Sequence, residues 1–184
     1  MRIWSFLFLK NDSTVWACGS NGSGQLGDGT NTGKTSPVQV NSLTGIVAVA
    51  AAASHSLFLK NDGTVWACGS NGWGQLGDGT TTNRNTPVQV SGLTGITAVA
   101  AGDFGHSLFL KNDGTVWACG RNVSGQLGIG AADIIQHPIP MQVTSLCTAL
   151  GLTEQQQENG FQIYPNPTTG QFTIALGSIN KKLK

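Results

Sequence analysis

The sequence predicts an all-β protein: an incomplete β-propeller of about three four-stranded blades, followed by a short C-terminal β segment. Three observations predict it. The stretch His55-Ser-Leu-Phe-Leu-Lys-Asn-Asp-Gly-Thr-Val-Trp-Ala-Cys-Gly69 returns unchanged as His106 to Gly120 and, slightly worn, as Phe6 to Gly19. Its tryptophans stand at 16, 66 and 117, so the spacing is 50 and then 51 residues, a period of stacked supersecondary units. Each period holds four short strand candidates divided by Gly- and Asn-rich turns.

The second copy shows the elements in order. Leu57–Leu59 and Thr64–Ala67 flank Asn61-Asp62-Gly63, a three-residue hairpin connection with glycine where φ is positive. Ser13 stands where Gly63 and Gly114 stand, so the first hairpin is expected to be strained. The loop Ser70–Thr80 follows, then a strand Thr86–Val90 whose Pro87 suits a strand start or an edge. A turn at Ser91-Gly92 and a small-residue strand, Thr97–Ala101, complete the unit. Alanine and valine suit a narrow axis, where blades converge. Phe58, Phe109, Trp16, Trp66 and Trp117 are expected to fill the wider space between sheets. Burying a tryptophan's roughly 200 Å² at ~25 cal/mol/Å² is worth up to about 5 kcal/mol, enough to explain its recurrence without a site.

The repeats cover residues 1–146, at about 4–54, 55–105 and 106–146. One extra residue falls within Gly102-Asp-Phe-Gly105, and the third copy drifts after Gly128. Residues 147–160 read as a polar linker, and 161–184 as a separate module with two short strands around Pro165-Asn-Pro167. Cys18, Cys68 and Cys119 are one repeat position and read as small buried hydrophobes, while Cys147 lies outside the repeats. No Cys-x-x-Cys occurs, so neither a zinc ribbon nor a redox motif is expected.

Composition narrows the function. Of 184 residues 10% are charged, and the net charge of +1 gives no footprint for nucleic acid or an anionic membrane. No run of ~18 apolar residues exists, so no membrane span is expected. Met1–Leu9 has the outline of a signal peptide, but Leu7–Lys10 aligns without a gap on Leu57–Lys60. It is therefore expected to be a repeat strand, in a chain that begins inside a repeat.

Gly22-x-Gly24-x-x-Gly27 and Gly72-x-Gly74-x-x-Gly77 match the dinucleotide fingerprint by letter. The fingerprint needs a helix directly after it, and here a turn and a strand follow, so no cofactor is expected. Asp28–Gly33 has the outline of a calcium loop, but Gln39 stands where a bidentate glutamate is required. His55 and His106 are equivalent positions beside strands, and Ser56 and Ser107 next to them point to the opposite face. A structural hydrogen bond is expected from each histidine, and no catalytic residue is assigned. Asn11-Asp-Ser13, Asn21-Gly-Ser23 and Asn122-Val-Ser124 fit the glycosylation pattern, and in a chain this rich in Asn and Ser chance is the better explanation.

Two sets of residues remain as candidate partner contacts. Lys10, Lys60 and Lys111 recur before each hairpin and either form a weak basic arc or are solvated turn lysines. Trp73 does not recur, since Ser23 and Ser124 hold its position; it is either a binding hot spot or a ring packed under its own loop.

The tandem pattern His-Ser-Leu-x-Leu-Lys-x-Asp-Gly-Thr-Val-Trp-Ala-x-Gly, followed by Asn-x-x-Gly-Gln-Leu-Gly-Asp-Gly-Thr, resembles the regulator of chromosome condensation repeat over residues 4 to about 146. That family builds seven-bladed propellers, which implies about three blades here; Cys18, Cys68 and Cys119 stand where it often has an aromatic. Ile163-Tyr164-Pro165-Asn166-Pro167-Thr-Thr-Gly170-Gln-Phe-Thr-Ile174 resembles the start of a type IX secretion C-terminal sorting domain, shortened at Lys184. Together these resemblances imply a secreted or surface-displayed binding module of a Gram-negative bacterium, with a protein or surface ligand as partner. Guanine nucleotide exchange on a small GTPase is the second reading, and a fragment of a larger secreted enzyme or adhesin the third. Open sheet edges also imply self-association.

Overall fold

The computed structural model describes residues 4–40, 43–144, 162–164 and 173–175. Each repeat begins as a hairpin because an Asx turn closes it. In the second copy Asp62 Oδ1 accepts from the Thr64 backbone N–H at 2.9 Å and its hydroxyl at 2.6 Å, while Gly63 N–H donates to the Lys60 carbonyl. Gly63 and Gly114 have φ of 76° and 82°, and Ser13 is held at 61° in the same turn.

Thirteen strands form four antiparallel sheets among the described residues. The first contains β1 (Ser5–Leu9), β2 (Val15–Gly19) and β3 (Lys34–Gln39). The second runs β4 (Ile46–Ala51), β5 (His55–Lys60), β6 (Val65–Gly69) and β7 (Arg84–Gln89). The third repeats that order with β8 (Ile96–Gly102), β9 (His106–Lys111), β10 (Val116–Gly120) and β11 (His137–Gln142). A separate pair, β12 (Gln162–Tyr164) and β13 (Thr173–Ala175), has Ile163 opposite Ile174.

The sequence unit and the sheet are offset. Thr97–Ala101, read from the sequence as the close of one unit, lies in β8 and opens the next sheet, pairing Ala98 with Leu110 and Ala100 with Leu108. The reason is local: residues 103–105 are all that separate β8 from β9, so the hairpin they form decides the pairing. The alanine-rich strands β4 and β8 lie against each other, the arrangement of inner strands near an axis.

Register sorts the side chains. Ser56 pairs with Cys68 and Phe58 with Trp66, so these four share one face, and Leu57, Leu59, Val65 and Ala67 share the other. The first face packs against Val15, Ala17, Leu26 and Val40 of the preceding sheet and its loops. The second packs against Phe109 and Cys119 of the following sheet. The second sheet is therefore buried on both sides.

The aromatics divide accordingly. Phe58 and Phe109 are fully buried, whereas Trp16, Trp66 and Trp117 are half-buried. The tryptophans sit farther along the same rows, opposite Gln39, Gln89 and Gln142, where the seam opens toward solvent. The full burial expected for them is thus realised by the phenylalanines alone. Cys68 and Cys119 are buried and Cys18 is half-buried.

Candidate binding rim

The loop after each second strand is organised by a buried asparagine. Asn71 Oδ1 accepts from Leu76 N–H at 2.9 Å, and Nδ2 donates to Asp78 Oδ1 at 3.0 Å and to the carbonyls of Thr80 and Thr82 at 3.0 and 3.1 Å. Asn21 and Asn122 do the same work in the other two loops. Their side chains are enclosed and fully engaged, so the glycosylation patterns at Asn21 and Asn122 are sealed inside the loops.

A side chain from the outer strand closes each loop: Lys34 bridges to Asp28 at 3.3 Å and Arg84 to Asp78 at 2.9 Å, while the His137 ring nitrogen Nε2 hydrogen-bonds to Asp133 at 2.9 Å. Burial works to raise the Asp78 carboxyl, but bonds from Thr80, Arg84 and Asn71 outweigh it and hold it below the usual carboxylate range. In the third loop Ile129 stands where Asp28 and Asp78 stand, and Asp133 supplies the carboxylate instead.

The first two loops then latch onto the next sheet. The Gln25 carbonyl accepts from Ser56 Oγ at 2.7 Å and from Cys68 Sγ at 3.5 Å. The Gln75 carbonyl accepts from Ser107 Oγ and Cys119 Sγ at the same distances. Gly24 and Gly74 of the dinucleotide look-alike press on the backbones of Asn85 and Pro138, so close that a Cβ on either glycine would overlap them. The glycine spacing serves a seam.

Sequence reasoning placed serine and histidine on opposite faces of one strand, which holds within a repeat. The structure joins them between repeats: His55 Nε2 lies 3.0 Å from Ser107 Oγ, and both residues are fully buried. Because the Ser107 hydroxyl donates to Gln75, the imidazole is the donor at Nε2. Its Nδ1 faces no hydrogen-bond partner. Burial, and then the neighbouring His106, push His55 down to about 3.

The three lysines lie at the hairpin tips. Lys10, Lys60 and Lys111 pair with Asp12, Asp62 and Asp113 at 2.8, 3.6 and 3.2 Å, so a carboxylate offsets each charge. Lys10 and Lys111 also sit 5.9 Å above the rings of Trp16 and Trp117.

Trp73 lies on the opposite rim, at the seam between the second and third sheets. It is half-buried, its Cδ1 faces Gly105, and the Arg121 guanidinium lies 5.4 Å from its ring centroid. At the first seam the matching positions are Ser23, Ser54 and Ser70, so tryptophan and arginine change together. Next to Gly105, Phe104 is 58% exposed. It belongs to the short bulge after β8, where the chain carries one residue more than at the first seam. Neither Phe104 nor Arg121 was singled out from the sequence; the one-residue insertion was the available signal. The same rim at the first seam is a polar depression lined by Ser23, Asn31, Asn83, Arg84, Asn85 and Thr86.

Among the described residues, no group of three or more His, Cys, Asp or Glu side chains is gathered as metal ligands, and no helix is long and apolar enough to cross a membrane. Tyr164 ends β12, while Pro165, Asn166, Pro167 and Gly170 lie outside the described residues, as do Cys147 and the linker.

The chain matches the model of the regulator of chromosome condensation (RCC1) repeat over residues 12–59, 62–110 and 113–148. A second model of that repeat matches 46–75 and 96–126, starting where β4 and β8 start. Over 76 residues it is 40% identical to a bifunctional serine/threonine-protein kinase/NEDD4-like E3 ubiquitin-protein ligase of Dictyostelium discoideum, covering 41% of this chain and 4% of that protein. Its fold is similar to human WBSCR16 (TM-score 0.72, 24% identity, 89% of this chain and 42% of the other). It is also similar to Prp20p of Saccharomyces cerevisiae (TM-score 0.70, 21% identity, 79% of this chain and 37% of the other), a protein studied for binding Gsp1p and histones. The chain therefore spans less than half the length of each of these relatives.

Proposed function

Because this chain belongs to the regulator of chromosome condensation repeat family, we propose that it is a protein-binding module whose contact surface is the loop rim at Trp73, Phe104 and Arg121. One observation carries the reading: an exposed phenylalanine, on an insertion absent from the first seam, stands beside an arginine–tryptophan stack absent from it too. Aromatic rings and arginine supply most of the energy at protein interfaces, and a ring already stacked loses little freedom on binding. The fold shared with Prp20p is in keeping with protein partners.

We place the module outside the cell, secreted or displayed on a Gram-negative surface through type IX secretion; the resemblance of the stretch from Tyr164 to Gly170 to a sorting domain supports this. The test starts with immobilised chain, wild type and Phe104→Ser/Trp73→Ser, exposed to extract of the source cells. Proteins held by the wild type are then purified and titrated. The expected result is at least tenfold weaker binding to the double variant, with Lys60→Ala unchanged. Equal binding to wild type and double variant sinks the rim assignment. Accelerated nucleotide release from a small GTPase would support the exchange-factor reading instead.

A further inference from the structure

Among the described residues, the lysines and arginines of this fold keep carboxylates beside them. Lys10, Lys34, Lys60, Arg84 and Lys111 each have one at 2.8 to 3.6 Å. Arg121 is the exception. Its guanidinium has neither an ion pair nor a hydrogen-bond acceptor there: Nε is enclosed without a partner, and the terminal nitrogens reach solvent. Asp103, the carboxylate of the neighbouring bulge, accepts instead from Ala53 N–H at 3.1 Å. The repeat does not require a cation at this point, since Ser20 and Ser70 hold the matched positions. The charge is nonetheless fixed in place. Arg121 N–H donates to the Gly105 carbonyl at 2.8 Å, and the guanidinium lies 5.4 Å from the Trp73 ring centroid. Trp73 is anchored in turn, its N–H donating to Gln75 Oε1 at 3.0 Å and its carbonyl accepting from His137 N–H at 3.2 Å.

A guanidinium stacked on an indole, with one nitrogen already out of water, has lost part of its hydration before any partner arrives. An unpaired donor in that position calls for an acceptor from outside the chain. Resting on the rim reading above, we propose that the partner supplies it as a carboxylate: an Asp or Glu side chain pairs with Arg121, and an apolar residue next to it covers the exposed ring of Phe104. The planar fork of arginine takes a carboxylate through two parallel bonds, here from the two terminal nitrogens. A lone cation also sets the class of partner. A nucleic acid backbone is held by several cations at once, and a carboxylate already offsets each of the others among the described residues. One guanidinium beside one exposed phenylalanine matches a short acidic and apolar segment of a protein.

The test selects binders from a random-peptide phage library on the immobilised whole chain and titrates the selected peptides by fluorescence anisotropy. Those peptides should carry Asp or Glu beside an apolar residue. They should bind Arg121→Gln at least about tenfold more weakly than the wild type, bind Lys60→Ala unchanged, and weaken as salt rises. Circular dichroism confirms the fold, and Arg121→Met, which retains a stem over the indole without the charge, replaces the glutamine if that disturbs folding. Selected peptides that lack an acidic residue, or that bind Arg121→Gln as well as the wild type, overturn the carboxylate; if Phe104→Ser still abolishes their binding, the rim reading stands. Peptides that bind the Phe104→Ser/Trp73→Ser variant as well as the wild type overturn both, and so does a library that yields no binder. A single-stranded oligonucleotide held more tightly than any selected peptide also overturns the proposal, by making the rings a base-stacking platform.

Discussion

The imidazole of His55 donates from Nε2 to Ser107 Oγ at 3.0 Å, and that hydroxyl donates in turn to the Gln75 carbonyl at 2.7 Å. Three chain segments, two sheets and one loop meet in this relay. Ser56 makes only the second of these bonds, to Gln25, because Ser5 holds the histidine position in the first sheet. Ser107→Ala should therefore cost about 2–4 kcal/mol, since it leaves a buried N–H and a buried carbonyl short of partners. Ser56→Ala should cost about 1–2 kcal/mol. Denaturant unfolding of both variants measures the difference, and equal losses would show that the imidazole contributes nothing.

The same histidine makes stability depend on pH. An unfolded imidazole titrates near 6.5, and in the folded chain His55 is held at about 3. Between those values the unfolded chain takes up a proton that the native chain refuses. Stability is full above ~6.5 and is lost as pH falls toward 3. His106, also held low by burial, acts in the same direction. Asp28 and Asp78, held below the usual carboxylate range, add to the loss only below about pH 4. Melting temperatures from pH 4 to 6.5 should fall with pH in the wild type and fall less in His55→Gln; parallel curves would refute the assignment.

Ser13 carries φ of 61°, where the later repeats place glycine. Ser13→Gly should raise stability by about 1 kcal/mol. The converse change, Gly114→Ser, at a glycine where a Cβ meets nothing within 4 Å, should lower it by a similar amount. A melting temperature unmoved by Ser13→Gly would mean that the Asp12–Thr14 bonds of 3.1 and 2.6 Å already offset the strain.

Gly72 and Gly74 are two residues apart in one loop and should respond oppositely to alanine. A Cβ on Gly72 meets nothing within 4 Å, whereas one on Gly74, at φ of 82°, would overlap the Pro138 backbone. Gly72→Ala should change stability by less than about 0.5 kcal/mol, and Gly74→Ala should cost about 3 kcal/mol or more. Loss of the third sheet's protection in hydrogen exchange would place the damage of Gly74→Ala at the seam. Equal tolerance of both would show that the loop does not clamp its neighbour.

The period of the tryptophans and the turn chemistry at Asn61-Asp62-Gly63 sufficed to read three stacked units and the four strands that each of the first two holds; the third holds three, β9 to β11, among the described residues. Those signals are local, and local hydrogen bonds enforce them. The assignment of Thr97–Ala101 to a sheet was not legible, because strand order in a sequence does not state which neighbour a strand pairs with. The short span from Asp103 to Gly105 was the only clue. Contacts of the rim were hidden for a related reason. Trp73, Gly105 and Arg121 lie 32 and 16 residues apart along the chain and meet only once two sheets are stacked. The half-burial of Trp66 follows from its place in the row beyond Phe58, which periodicity alone does not give.

Each seam also holds one enclosed thiol, Cys68 at the first and Cys119 at the second, with burial raising the pKa of both. A protonated, enclosed sulfur reacts with alkylating reagents only when its surroundings separate. The chain thus contains a separate clock for each joint. The rate at which each sulfur is alkylated under native conditions counts the openings of that joint alone, with half-buried Cys18 as the fast reference.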